Sequence, residues 1–161
     1  MTRLHWISLT TPGRLAIAAR PRAEDWLDDD IAAWAEERVA IVVSLLEGAE
    51  VADLGLQRED ALCRSHDMAF LSFPIPDRGC PDRPRAALQL AGDLATRLMG
   101  GATVLIHCRA GIGRSAVIAG CVMSRLGVDA GEALERIAAA RGVRVPDTEE
   151  QRRWVMEMAR E

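Results

Sequence analysis

Residues 107–115 read HCRAGIGRS and bring a histidine, a cysteine, two glycines, an arginine and a serine into nine consecutive positions. The apolar run ATVLI leads into this stretch and the run SAVIAGCVMSRLG, with helical character, leaves it. The order strand, glycine loop, helix sets Cys108 at the carboxyl end of a strand, where open α/β sheets bind their ligands. A helix N-terminus just beyond offers free N–H groups and the positive end of a dipole. Gly111 and Gly113 allow positive φ and close backbone approach, so the amides of Arg109, Ala110, Gly111, Ile112 and Gly113 can curl around a tetrahedral oxyanion. Such surroundings favour the thiolate of Cys108, the competent nucleophile. Arg114 adds a planar fork that can grip two oxygens. The chemistry this suits is attack of Cys108 on phosphorus, with the loop amides and Arg114 holding the equatorial oxygens of the transition state. Ser115 can donate a hydrogen bond to the sulfur when the sulfur leaves.

An isolated cysteine is more often a buried apolar thiol than a nucleophile, and an isolated arginine is usually a solvated charge. Here His107, Cys108, Gly111, Gly113, Arg114 and Ser115 occur together. At about 5% per residue type, chance gives this set on the order of 10⁻⁸ per window. A nucleoside-triphosphate-binding loop of the Gly-Lys-Ser/Thr type is excluded, because the chain has no lysine. A sulfurtransferase of the rhodanese type also carries a looped cysteine, but Arg114 and Ser115 at this spacing suit phosphoryl chemistry better.

HCRAGIGRS matches the His-Cys-x5-Arg-Ser/Thr signature, and the chain resembles the cysteine-dependent protein phosphatases of the dual-specificity and tyrosine-phosphatase type, in particular compact bacterial and kinase-associated members. The resemblance spans most of the chain, although only the Cys108 loop is highly specific. It implies a central sheet of four or five strands flanked by helices, and two-step phosphomonoester hydrolysis with neither metal nor cofactor. It also gives His107 the task of ordering the loop by hydrogen bonding and helping to keep the thiolate.

The leaving oxygen needs a proton, so a carboxylic acid should reach the same pocket from another loop. Relatives place an aspartate about thirty residues before the cysteine, and Asp77 in FPIPDRGCP matches that position here. Pro-Asp-x-Gly is also good turn chemistry in its own right. Asp82 lies close enough to compete, but an N-cap before Pro84 explains it. Arg78 either greets an incoming phosphate or is simply solvated. Gln151 in TEEQRRWV resembles a glutamine that some relatives use to position water, while Thr148-x-x-Gln151 also reads as a helix capping box.

These residues need elements to position them. Leu4–Leu9 and Arg14–Ala18 read as two short strands joined by the turn TTPG. Trp26–Glu37 carries apolar residues at 27, 31 and 34, a helical spacing. VAIVVSLL (39–46) is short, continuous and β-branched, as a strand buried on both faces should be. A polar, helical connection follows, and then MAFLSFPIP supplies a strand ended by its prolines. Residues 83–101 form a helix with Pro84 in its first turn and a glycine pair at its end. ATVLIHC is a second buried strand, followed by helices over 115–127, 130–142 and the C-terminal segment. Strands alternating with helices imply an α/β domain, spanning 1–161, with a mostly parallel central sheet covered on both faces. Trp6, Trp26, Trp34 and Trp154 are assigned to packing, and the acidic run EDWLDDD to a solvated helix start.

Hydrophobic residues make up 49% of the 161 and charged residues 27%, a globular balance. All 20 basic residues are arginine and the net charge is −4 with no basic block, which disfavours nucleic acid as a partner. No apolar stretch is long enough for a signal peptide or a membrane span, so the expectation is a cytoplasmic protein without membrane association. Cys63, Cys80, Cys108 and Cys121 contain no Cys-x-x-Cys pair, which argues against a zinc knot. No metal site is expected, and the other three cysteines, Cys63, Cys80 and Cys121, are read as packing residues. The expected partner is a phosphorylated protein or peptide. The alternatives are a phosphatase of a non-protein substrate such as a phosphoinositide or nucleotide, or a phosphate-binding pseudophosphatase. Oligomeric state is not encoded in any pattern of the sequence.

Overall fold

In the computed structural model, which describes residues 2–161, the chain folds as a mixed α/β protein with a five-stranded central sheet. Strands β1 (His5–Trp6), β2 (Leu15–Ala18), β3 (Ile41–Ser44), β4 (Ala69–Ser72) and β5 (Val104–His107) lie in the order β1-β2-β5-β3-β4. Only the β1–β2 pair is antiparallel; β2, β5, β3 and β4 run parallel. Helices α1 (Asp25–Glu36), α2 (Gly48–Asp53), α3 (Glu59–Ser65), α4 (Pro84–Met99), α5 (Arg114–Arg125), α6 (Ala130–Arg141) and α7 (Glu149–Met158) connect and cover the strands.

The central strands are wholly buried, as their unbroken apolar runs require. Their side chains alternate between two cores. Leu15, Ile17, Ile41, Val43, Val104 and Ile106 face the core shared with α4, α5, α6 and α7. Ala16, Ala18, Val42 and Leu105 face a second core with Leu27, Ile31, Trp34 and Cys63 from α1 and α3. Each large side chain buried this fully contributes about 1.5–3 kcal/mol, which fixes β5 firmly between β2 and β3. The register sets His107 beside Ala18 and Ser44, so all three parallel strands end together and Cys108 emerges at their common carboxyl edge. No helix of the described residues is long and apolar enough to cross a membrane.

Local details depart from the sequence expectations. Trp26 is 57% exposed, not packed in the core. It precedes the inward stripe of Leu27, Ile31 and Trp34, and the Arg22 guanidinium covers its ring at 4.8 Å. The acidic run is not uniformly solvated. Asp30 is completely buried, accepting bonds from the Arg22 guanidinium, the Arg22 and Thr2 amides, and the Thr2 hydroxyl. Burial opposes its charge, but these donors outweigh that cost and lower its pKa. Asp82 does not cap α4; Arg83 occupies the N-cap with no side-chain bond, and Pro84 at the helix start removes one donor that would need a cap. The other tryptophans are buried (Trp34) or half-buried (Trp6, Trp154).

Candidate active site

Cys108 follows β5 directly and is buried, yet it opens into a cavity of about 220 Å³ lined also by Asp77, Arg78, Arg109, Ala110, Ile112, Gly113, Arg114 and Asp147. The loop 109–113 closes on two supports. Gly111 lies at φ 71°, and a Cβ there would sit 2.5–2.6 Å from the Ala18 carbonyl and the Ala19 amide nitrogen. Gly113 lies against the start of α7, where a Cβ would meet the Asp147 Cβ at 2.9 Å and the Gln151 amide at 3.0 Å. Only glycine allows both approaches.

The carbonyls of Arg109 and Ala110 point away from the cavity, to the Arg20 amide (3.3 Å) and the Arg141 guanidinium (3.3 Å). A trans peptide sets the following N–H opposite its carbonyl, so the Ala110 and Gly111 amides turn inward. Among the described residues, the amides of 109–113 donate to no backbone carbonyl. A ring of free N–H groups at a helix N-terminus is an anion cradle.

Arg114 begins α5 and is almost completely buried. Glu50 of α2 holds it at both ends, Nη1 to Oε1 at 2.6 Å and Nη2 to Oε2 at 2.9 Å. Nη1 also donates to the Ile75 carbonyl at 3.0 Å. The Arg114 hydrogen bonds hold the Glu50 carboxyl below the usual carboxylate range, against the opposing effect of its burial. Burial works against the Arg114 charge, but Glu50 outweighs it and raises the arginine's pKa further. The guanidinium is therefore charged and fixed in direction before any ligand arrives.

Asp77 lies after β4 in a turn closed by the bond from the Gly79 amide to the Pro76 carbonyl, so its turn chemistry is real. The turn also brings its carboxylate to the cavity, where Oδ1 accepts from Arg114 Nη2 at 3.1 Å. Arg78 is not simply solvated: its guanidinium pairs with Asp147 at 3.1 Å. Gln151 is completely buried and closes the capping box with Thr148. Its side-chain nitrogen also donates to the Gly79 carbonyl at 3.0 Å, in the Asp77 loop.

The structure places His107 and Ser115 differently from the sequence expectations. His107 does not bond the loop. Its Nε2 lies 2.6 Å from the buried Glu59 carboxylate on α3, and its ring tilts beside Trp34. Ser115 is buried at the base of α5, but its hydroxyl has no partner among the described residues, Cys108 sulfur included. Cys63 and Cys121 are buried elsewhere in the cores, where burial pushes both thiols up to about 12; Cys80 is half-buried and burial raises it too. Glu50, Glu59 and Asp147 stand in no recognisable motif of the sequence. Glu50 carried one signal, a carboxylate just past the carboxyl end of the strand next to β5.

The chain matches a family model described as the Swiss Army Knife protein DSP-PTPase phosphatase domain over residues 2–158. It is 35% identical over 71 residues to cyclin-dependent kinase inhibitor 3 of Rattus norvegicus, a match covering 43% of this chain and 33% of that relative's length. Its fold is similar to a kinase-associated phosphatase whose catalytic cysteine is replaced by serine (TM-score 0.85, 20% identity, 97% of this chain and 93% of the other). It is also similar to Tk-PTP in the active form (TM-score 0.76, 28% identity, 98% and 96%).

Proposed function

The chain belongs to the DSP-PTPase phosphatase domain family, and on that premise we propose that it hydrolyses phosphomonoesters on proteins through a cysteinyl-phosphate intermediate. One observation carries the reading: Cys108, Asp77 and Arg114 open into a single cavity whose loop offers unpaired amides.

The phosphate of the substrate enters the cradle, its oxygens taken by the amides of 109–113 and by Arg114. The Cys108 thiolate attacks phosphorus in line, forming the S–P bond as the bond to the leaving oxygen breaks. Asp77, as the carboxylic acid, gives its proton to that oxygen. Water then attacks phosphorus and passes a proton to the Asp77 carboxylate, and the S–P bond breaks to restore the thiolate and release phosphate. Donors fixed in advance favour the charge that develops in each transition state without reorganising at that moment. No step requires a metal ion, so activity is expected to persist in chelator. A free thiol at Cys108 suits a reducing compartment such as the cytoplasm.

The cavity mouth bears on substrate choice. Arg78, Ile112 and Asp147 flank it, and among the described residues no aromatic side chain lines it. A wall of this kind gives a phosphotyrosine ring no stacking partner and leaves room for phosphoserine and phosphothreonine. We therefore read the site as acting on both. The absence of lysine and the net charge of −4 weigh against polyanionic phosphoinositides and nucleotides. Assay of the pure protein on phosphotyrosine, phosphoserine/threonine and phosphoinositide panels tests this. Comparable turnover on the two peptide classes is expected, and preferential turnover of phosphoinositides would overturn it.

A further inference from the structure

The loop that carries Asp77 is tied to the far wall of the cavity at two points beyond Asp77 itself. The Arg78 guanidinium pairs with the Asp147 carboxylate at 3.1 Å, and the Gln151 side-chain nitrogen donates to the Gly79 carbonyl at 3.0 Å. Gln151 is a rigid post. Its side-chain oxygen accepts from the backbone amides of Asp147 and Thr148, and its backbone amide donates to the Thr148 hydroxyl. Both anchors belong to the start of α7, the segment packed against Gly113 of the phosphate loop. Residues 78 and 79 thus attach to the same support that carries the end of the cradle.

The contact between Asp77 and Arg114 cannot serve as the tether during turnover. Arg114 Nη1 and Nη2 are already engaged by Glu50, the Ile75 carbonyl and Asp77. An incoming phosphate must take the Nη2 donor from Asp77 to gain a two-point grip. Asp77 is then released just when it must stay beside the leaving oxygen. Arg78 lies at φ 60°, a conformation that non-glycine residues rarely adopt, so the turn needs outside contacts to persist.

We propose that Asp147 and Gln151 are positioning residues: they clasp the Asp77 loop over the cavity, so that the acid stays in place after phosphate displaces it from Arg114. The proposal rests on the acid role given to Asp77 above. The clasp acts through Asp77 and touches neither the substrate phosphorus nor Cys108.

The test uses two aryl phosphates that differ in how much protonation their leaving groups need. Phenyl phosphate needs the acid and p-nitrophenyl phosphate needs it far less. In Asp147→Ala, kcat on phenyl phosphate should fall about tenfold, with less than about a twofold change on p-nitrophenyl phosphate and little change in KM. The exchanged pair Arg78→Asp with Asp147→Arg should recover most of the phenyl phosphate rate, since aspartate tolerates the left-handed region better than most residues. An equal loss on both substrates, or no loss on phenyl phosphate, with the thermal midpoint unchanged, overturns the clasp. Asp77→Ala is measured alongside. If it shows the leaving-group-selective loss and Asp147→Ala does not, the clasp is rejected and the acid assignment stands. If neither shows it, the acid assignment fails first and the clasp with it.

Discussion

Both oxygens of the Glu50 carboxylate hold the Arg114 guanidinium, at 2.6 and 2.9 Å, across 64 residues of sequence. The arginine therefore meets phosphate already oriented. Removing one partner of a buried pair costs about 3–5 kcal/mol, because the remaining charge is left uncompensated. Glu50→Gln should lower both thermal stability and kcat/KM, the latter on the order of 10²-fold.

The same pair has a pH signature. Glu50 titrates below an unfolded carboxylate, so its contribution to stability is complete above the ordinary carboxylate range and is lost as pH falls through the lowered native value. In unfolding measured against pH, wild type should exceed Glu50→Gln by a constant margin near neutrality. That margin should shrink only in acid. A margin that shrinks as pH rises would contradict the assignment.

Asp77 occupies one of the donors that phosphate needs, so it should have opposite effects on chemistry and on oxyanion binding. Asp77→Asn should lower turnover about 10²- to 10⁴-fold on substrates with poor leaving groups. It should at the same time tighten inhibition by vanadate, because the neutral amide competes less well for Arg114 Nη2. Weaker vanadate binding in this variant would show that Asp77 supports the anion instead of competing with it.

Gly111 meets two constraints at once: φ of 71° and backbone atoms of residues 18 and 19 within 2.6 Å of where a Cβ would lie. Backbone atoms cannot yield as a flexible side chain can. In Gly111→Ala the conformation alone costs about 1–2 kcal/mol, and the clash adds to it. Activity should be lost through a displaced loop, seen as weakened phosphate binding in a protein that still shows its native secondary structure.

The sequence carries the nucleophile loop openly because the chemistry there is local. Nucleophile, glycines and arginine lie within one turn of chain, and the strand before them and the helix after them are both strongly patterned. The central strands β3 and β5 were equally legible, since burial on both faces leaves an unbroken apolar run, whereas the parallel edge strand β4 is largely exposed. Glu50 and Glu59 were not, because each reads as an ordinary acid on a polar helix and gains its meaning only from a partner 64 or 48 residues away. The run EDWLDDD hid Asp30 for a related reason. Local pattern gives no means of telling which of three consecutive aspartates turns inward, and here the choice is made by Arg22 and Thr2. Gln151 shows a third case: its capping box was visible in sequence, but its bond to Gly79 depends on the tertiary approach of two loops.

The central claim is that Cys108 carries the phosphoryl group between the two steps. Rapid acid quench of the protein during turnover of p-nitrophenyl phosphate, followed by peptide mass spectrometry, tests it directly. One phosphoryl group on the Cys108 peptide is expected, absent in Cys108→Ser, which should bind vanadate yet turn nothing over. Phosphate found on another residue, or turnover retained by Cys108→Ser, would contradict the account.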